Sequence, residues 1–218
     1  MILGRVGECC DGRGYQETFG EGFARRMSRR YHQRGLSRTQ QRLVDFLAER
    51  GLEGATVLEI GGGIGEIQVE LLRRGAASAT NLEISENYEA EAADLLRERG
   101  LAGRVSRRFH DIATSPDEVE PADIVVLHRV VCCYPDYAKL LGAAAGHARR
   151  MLVFSHPPRN VVHRSVMAMV NGLRRLQGNS FREFVHPPSA MVDVVNAQGL
   201  TLEYRHRGFA WDVVGFAR

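Results

Sequence analysis

Cysteine is scarce in this chain, and its placement excludes two familiar uses. Four cysteines occur among 218 residues, as the adjacent pairs Cys9-Cys10 and Cys132-Cys133. That spacing matches neither the disulfide framework of a secreted mini-domain nor a Cys-x-x-Cys zinc knuckle, so reduced thiols are expected. No apolar run approaches the roughly 18 residues that span a bilayer. The opening stretch MILGRVGECCDGRG has no apolar core or small-residue cleavage site, so a cytoplasmic protein without a membrane span is expected. Net charge is small too: 29 basic against 26 acidic residues leave an excess of +3, too little to imply a polyanionic partner such as nucleic acid. Arginine pairs such as Arg25-Arg26 and Arg73-Arg74 read as solvated helix faces. There is no internal repeat, low-complexity segment or long linker.

What is present is ordinary globular material, 44% hydrophobic and 25% charged, of a length that suits one domain over residues 1–218. Residues 1–50 carry Phe19, Phe23, Met27, Tyr31, Leu43, Phe46 and Leu47 at helical spacing with a break at Gly35, which predicts two leading helices. From Thr56 the texture alternates between short β-branched runs and amphipathic stretches, as in βαβ units and a mainly parallel sheet. Strands are expected at 56–60, 79–84, 104–109, 123–127 and 151–155, with helices near 67–74, 88–99 and 137–149. Pro157-Pro158 ends the fifth strand. Val162, Val166, Met169, Val170, Leu173 and Leu176 then form a helical stripe, expected to be a packed lid or core helix. A helix near 189–198 and two strands joined around Arg207-Gly208 complete the chain as a terminal antiparallel pair.

The segment VLEIGGGIGE, residues 57–66, places Gly61, Gly62, Gly63 and Gly65 directly after the first strand. Glycine costs backbone entropy, so such a cluster implies that something approaches the main chain closely. In an open parallel sheet ligands bind beyond the carboxyl ends of the strands where strand order reverses. A dinucleotide fingerprint needs a third glycine at position 66, and that position is Glu66, an unsuitable neighbour for pyrophosphate.

An acidic residue followed by this glycine loop resembles motif I of the class I S-adenosylmethionine-dependent methyltransferases. The resemblance implies a Rossmann-like α/β fold, with a mainly parallel seven-stranded sheet, one terminal antiparallel strand and flanking helices. It also implies S-adenosyl-L-methionine as cofactor. Glu59 would lie near the cofactor's amino acid portion, with Gly61, Gly62, Gly63 and Gly65 letting the backbone approach. Glu83, beside Ile84, would accept hydrogen bonds from the ribose hydroxyls, and Asp111, beside Ile112, would meet the adenine. His128 borders the same site. Residues 1–50 become a helical lid, 55–155 the cofactor-binding core, 157–200 a helical substrate cover and 200–218 the terminal strands.

The fourth strand runs into LHRVVCCYPDY, which is similar to the corresponding stretch of magnesium protoporphyrin O-methyltransferases. It departs from them in carrying His128 where they usually have an acid and a cysteine before Tyr134 where they commonly have histidine. A small-molecule acceptor is expected, with O- or N-methylation and a tetrapyrrole carboxylate as one case. His128, His156 and Tyr134 are the catalytic candidates, since histidine titrates in the useful range and sits at strand exits. Tyr15, Tyr31, Arg129, Cys133, Arg182 and His186 are the candidates for holding the acceptor. A carboxylate acceptor needs no base, whereas an amine or phenol does. Competing readings are a non-catalytic S-adenosylmethionine-binding protein and a thiolate-imidazole metal site built from the paired cysteines. Against the second, neighbours on an extended chain point in opposite directions, so no metal is assigned. Nucleic acid is not expected as substrate, because the Asn/Asp-Pro-Pro-Tyr tetrapeptide of base methylation is absent; a monomer or homodimer is.

Overall fold

In the computed structural model, residues 12–218 are described. Three helices, α1 (Gly12–Thr18), α2 (Glu21–Arg34) and α3 (Arg38–Ala48), precede the sheet. Where two were expected, the first stretch divides at Gly20, which serves as N-cap of α2. Gly35 closes α2 with φ of 65°, a left-handed conformation that side chains disfavour. Ser37 then starts α3 with a capping box: its hydroxyl accepts from the Gln40 N–H, and the Gln40 side chain accepts from the Ser37 N–H.

The strands follow the expected alternation: β1 (Thr56–Ile60), β2 (Ser78–Glu83), β3 (Val105–Phe109), β4 (Ala122–Leu127) and β5 (Ala148–His156), with α4 (Glu66–Arg73), α5 (Glu89–Glu98) and α6 (Tyr137–Gly146) between them. The helix α6 stops short of its expected end because Ala148 already pairs with Ala122 in the sheet. The helices α7 (Val161–Leu176) and α8 (Pro188–Asn196) and the strands β6 (Thr201–His206) and β7 (Asp212–Ala217) finish the chain. Strand order is β3-β2-β1-β4-β5-β7-β6. All pairs are parallel except those of β7, which runs antiparallel to both β5 and β6.

Successive residues of the central strands face opposite sides, and both sides are covered. Val57, Ile124, Val126, Met151 and Val153 pack into one core with Leu43, Val44 and Leu47 of α3 and Val69 of α4. Leu58, Val125, Leu127, Leu152 and Phe154 pack into the other with Leu140 and Leu141 of α6 and Met191 of α8. The winding reverses between β1 and β4, so their carboxyl ends open a crevice. One expectation fails: α7 contains no buried residue, and its apolar stripe faces outward. No helix among the described residues is long and apolar enough to cross a membrane.

Candidate functional site

A cavity of about 530 Å³ lies over that crevice, lined by the glycine loop, the ends of β2 and β4, the three leading helices and Trp211 before β7. Its floor is acidic. Glu83 at the end of β2 is buried, and its carboxylate accepts from the Gly63 N–H at 2.9 Å, the Ile84 N–H at 2.8 Å and the Ser85 N–H at 3.2 Å. Glu59 in β1 is also buried and accepts from the Gln68 N–H in the first turn of α4 at 3.2 Å. Glu66, the first residue of α4, takes a 2.6 Å bond from the Gln40 side-chain amide, so the residue that caps α3 also fixes a pocket carboxylate. The other Glu66 oxygen is buried with no partner.

Burial, countered only partly by hydrogen bonds, raises all three carboxyls above the ordinary range, with Glu66 and then Glu83 adding to the rise at Glu59. None of the three forms an ion pair among the described residues. Arg107, Arg30 and Arg129 act on these carboxyls only from a distance, so a buried carboxylate cluster without direct ion pairs favours a positively charged ligand, and the unpartnered Glu66 oxygen supplies an acceptor for it.

The glycines divide by function. Gly61, Gly63 and Gly65 have φ of 63°, 56° and 86°. A side-chain carbon at Gly61 would meet Val130 at 2.5 Å, at Gly62 Asn81 at 2.3 Å, and at Gly65 Gln68 at 2.3 Å. Close packing within the protein therefore accounts for three of the four. Only at Gly63 would such a carbon meet no clash, with Met27 and Tyr88 in ordinary contact at 3.4 Å. Gly61, Gly62, Gly63 and Ile84 all line the cavity.

The same lining also carries basic and aromatic residues. Arg129, just past β4, has φ of 62°, the one non-glycine residue in that region among those described. Its N–H donates to the Ser155 hydroxyl at 3.0 Å, and its guanidinium lies 4.6 Å from the centre of the Trp211 ring. A strained backbone over-determined by neighbours is characteristic of functional positions. Arg30 on α2 joins it in the lining, with Tyr15, Phe19, Phe23 and Tyr88. The Tyr15 hydroxyl donates to the Cys133 carbonyl, and the Tyr31 hydroxyl to Glu70 at 2.7 Å, so both rings are held in place.

His128 lines the cavity with its Nδ1 2.9 Å from the Ser155 hydroxyl, and burial followed by repulsion from Arg129 pushes its pKa down to about 3. Cys132 and Cys133 are also at the wall. They occupy a tight turn at Val131–Cys133 rather than an extended segment, so both sulfurs point the same way, 3.6 Å apart. This overturns the expectation of diverging side chains. Bonding to Cys132, then burial, pushes the Cys133 thiol up. Cys9 and Cys10 lie outside the described residues, among which no group of three or more metal-ligating side chains is found.

Seven sequence candidates are absent from the cavity lining, Gly65 among them. Asp111 accepts from the Tyr134 hydroxyl at 2.9 Å and from the Ala113 N–H at 3.0 Å, so those two candidates satisfy each other. Ile112 is a core residue. His156 is buried with its Nδ1 on the Pro157 carbonyl at 3.0 Å, and burial lowers its pKa. Arg182 donates to the carbonyls of Asn179 and Phe181, and His186 sits on the Tyr134 carbonyl at 2.9 Å between the rings of Phe184 and Tyr137.

Glu66, Gln40, Arg30, Tyr88 and Trp211 were missed. The signal for Arg30 is its helical face, shared with Phe23 and Met27. For Glu66 it is a carboxylate at the first position of a helix that a glycine loop introduces.

The methyltransferase domain family matches residues 27–211. No curated protein matches in sequence. Among solved structures, the magnesium protoporphyrin IX methyltransferase of Synechocystis PCC 6803, with bound S-adenosylhomocysteine, aligns over 95% of this chain and 100% of its own, with TM-score 0.71 and 19% identity. An O-methyltransferase family protein from Burkholderia thailandensis aligns over 94% of this chain and 61% of its own, with TM-score 0.69 and 20% identity. A putative RNA methyltransferase from Pyrococcus horikoshii aligns over 83% and 81%, with TM-score 0.57 and 15% identity. At such identities the likeness is one of fold, and the fold is shared across acceptor classes. The family match over most of the length, joined to the glycine loop and its carboxylates, identifies the chain as a member of the methyltransferase domain family, a class I S-adenosylmethionine-dependent methyltransferase.

Proposed function

We propose that the enzyme methylates a carboxylate oxygen of a small, largely apolar acceptor, the class to which a tetrapyrrole propionate belongs. The observation that carries this reading is a cavity with cations for an anionic acceptor and a histidine that is a poor base toward a neutral one. His128 has its pKa pushed down to about 3 and is a weak base at neutral pH. Burial raises the phenols of Tyr31 and Tyr88, and Cys133 is likewise held as a thiol. A carboxylate is ionised at pH 7 and needs no deprotonation.

S-adenosylmethionine supplies an electrophilic methyl group on a sulfonium. In this reading Glu83 accepts from its hydroxyls, Glu59 and Glu66 balance its positive charge, and Gly63 gives its main chain room. Arg129 and Arg30 hold the acceptor carboxylate, Arg129 being pre-oriented by Trp211. Tyr15, Tyr31, Phe19 and Phe23, on α1, α2 and the turn between them, exclude water from above. Asp111, Ile112, Tyr134, His156, Arg182 and His186 are left out, since none lines the cavity.

The test is a panel of carboxylate, phenol and amine acceptors of similar size, a porphyrin propionate among them, incubated with the cofactor and read by mass spectrometry. The expected product is a methyl ester, recognised by its loss under mild alkali. Preferential, alkali-stable methylation of amines or phenols would remove the basis of the proposal.

A further inference from the structure

Outside the cavity the most unusual surface is the outward face of α7. Val162, Val166, Met169, Leu173 and Leu176 recur every three or four residues, so they form one stripe along a helix of 16 residues, ~24 Å long. They are 41 to 86% exposed, and the helix has no buried residue at all. Beside its first turn stands Phe209, in the loop between β6 and β7, which is 96% exposed and has its ring 6.5 Å from that of His163. A contiguous apolar ridge of this kind marks a docking surface rather than scattered surface carbon.

Charge selects the partner. From Arg159 to Arg182 the chain contains no aspartate or glutamate. Arg174 is paired with Glu183, but Arg159, Arg164, Arg175 and, beside Phe209, Arg207 are exposed and form no ion pair among the described residues. Arg164 and Arg175 lie on the side of α7 away from the stripe, and Arg159 and Arg207 flank its first turn beside Phe209, so the helix is apolar on one face and basic on the other. An anionic lipid surface takes the apolar stripe into its acyl boundary and the arginines against its headgroups, the behaviour of basic amphipathic helices that lie in the membrane plane.

We infer that α7 and Phe209 form a reversible docking face for an anionic bilayer. The inner side of the same helix contributes Arg174 to the cavity wall, so docking would bring the acceptor pocket to the membrane surface. This placement does not depend on which atom of the acceptor is methylated.

The test is flotation of the full chain with vesicles of phosphatidylcholine alone and of phosphatidylcholine mixed with phosphatidylglycerol, at low and high salt. Binding is expected to the mixed vesicles, weakening as salt rises. Met169→Glu combined with Leu173→Glu is expected to lower that binding about tenfold or more. Circular dichroism and S-adenosylhomocysteine affinity should be unchanged in this variant, since both side chains are exposed and outside the cavity. Absence of binding to mixed vesicles, or binding that the double variant retains, overturns the inference. So does a concentration-dependent dimer in analytical ultracentrifugation that the variant dissolves, which would assign the face to a second copy.

Discussion

Replacing Glu83 by glutamine separates the roles of shape and charge at the cavity floor. The carboxylate serves three backbone donors, Gly63, Ile84 and Ser85. A glutamine amide has one oxygen and one NH₂ group, so it can face Ile84 and Ser85 with its oxygen only by turning NH₂ toward the Gly63 N–H. A bond to a charged acceptor contributes about 1.5–3 kcal/mol, and that to Gly63 is lost. Against this, glutamine escapes the desolvation that raises the Glu83 pKa in the free protein. The two effects oppose each other, so the free fold should change by about 1 kcal/mol or less, a shift of a few degrees in melting temperature for a chain of this size.

Cofactor binding has no such compensation. It loses the negative charge, one hydroxyl acceptor and the anchoring of the glycine loop together, about 2–4 kcal/mol, or roughly 30- to 1,000-fold in Kd. Isothermal titration with S-adenosylhomocysteine, beside a thermal melt, measures both quantities. A Glu83→Gln protein that melts normally and binds within about threefold of wild type would falsify the placement of the cofactor on this carboxylate.

Four further outcomes follow from the same geometry. Because Glu59, Glu66 and Glu83 titrate above 4.5 when folded, the free protein holds protons that the unfolded chain has released, so its stability falls as pH rises through the interval above that value. A positively charged cofactor favours the ionised forms, so its binding in that interval should expel protons and tighten with rising pH. Titration calorimetry in two buffers of different ionisation enthalpy counts those protons, and a count of zero contradicts the buried-carboxylate account. His128→Gln should lower kcat less than about tenfold and leave the pH-rate profile without a new break between about pH 5 and 8; a loss of several orders of magnitude would restore His128 as the base. Gly61→Ala places a methyl 2.5 Å from Val130 at positive φ and should cost about 2–3 kcal/mol in denaturant melts, with Val130→Ala recovering the steric part but not the backbone part. Arg129→Ala and Arg129→Gly should both raise the KM for the acceptor about tenfold or more, but only the glycine variant should melt higher than wild type, since it relieves φ of 62°; equal melting temperatures would show that the backbone is not strained.

The sheet was legible because its information is local. The runs at 56–60 and 123–127 are β-branched and bounded by turns, and the strands occupy Thr56–Ile60 and Ala122–Leu127. The glycine loop was legible for the same reason, although the structure divides its meaning: at Gly61, Gly62 and Gly65 the missing side chain is required by protein neighbours, and only at Gly63 would an added carbon meet no clash. What could not be read was pairing across the chain. Asp111 and Tyr134 look like separate site residues until they are found bonded to each other. Trp211 and Arg129 are 82 positions apart in number, yet the antiparallel return of β7 beside β5 brings them together. The stripe on α7 has a clear period, but a period says only that one face differs from the other, not which face the protein covers.

The charge layout of the cavity fits the proposed reaction better than its acids or its cations do alone. Buried acids at the glycine loop favour a cationic donor, and Arg129 with Arg30 in the same lining favour an anionic acceptor. Transfer of a methyl group between such partners turns a cation and an anion into two neutral groups, so the separated charges are what water stabilises most. Phe19, Phe23, Tyr15, Tyr88 and Trp211 in the lining displace part of that water and thereby favour the neutral side. The same reasoning explains why Arg129 is tied to an aromatic ring and a strained backbone instead of being free to follow the carboxylate: a cation that wrapped the anion tightly would stabilise the reactant more than the transition state. In the proposed reaction, an Arg129 held 4.6 Å from the Trp211 ring would orient the acceptor without fully neutralising it.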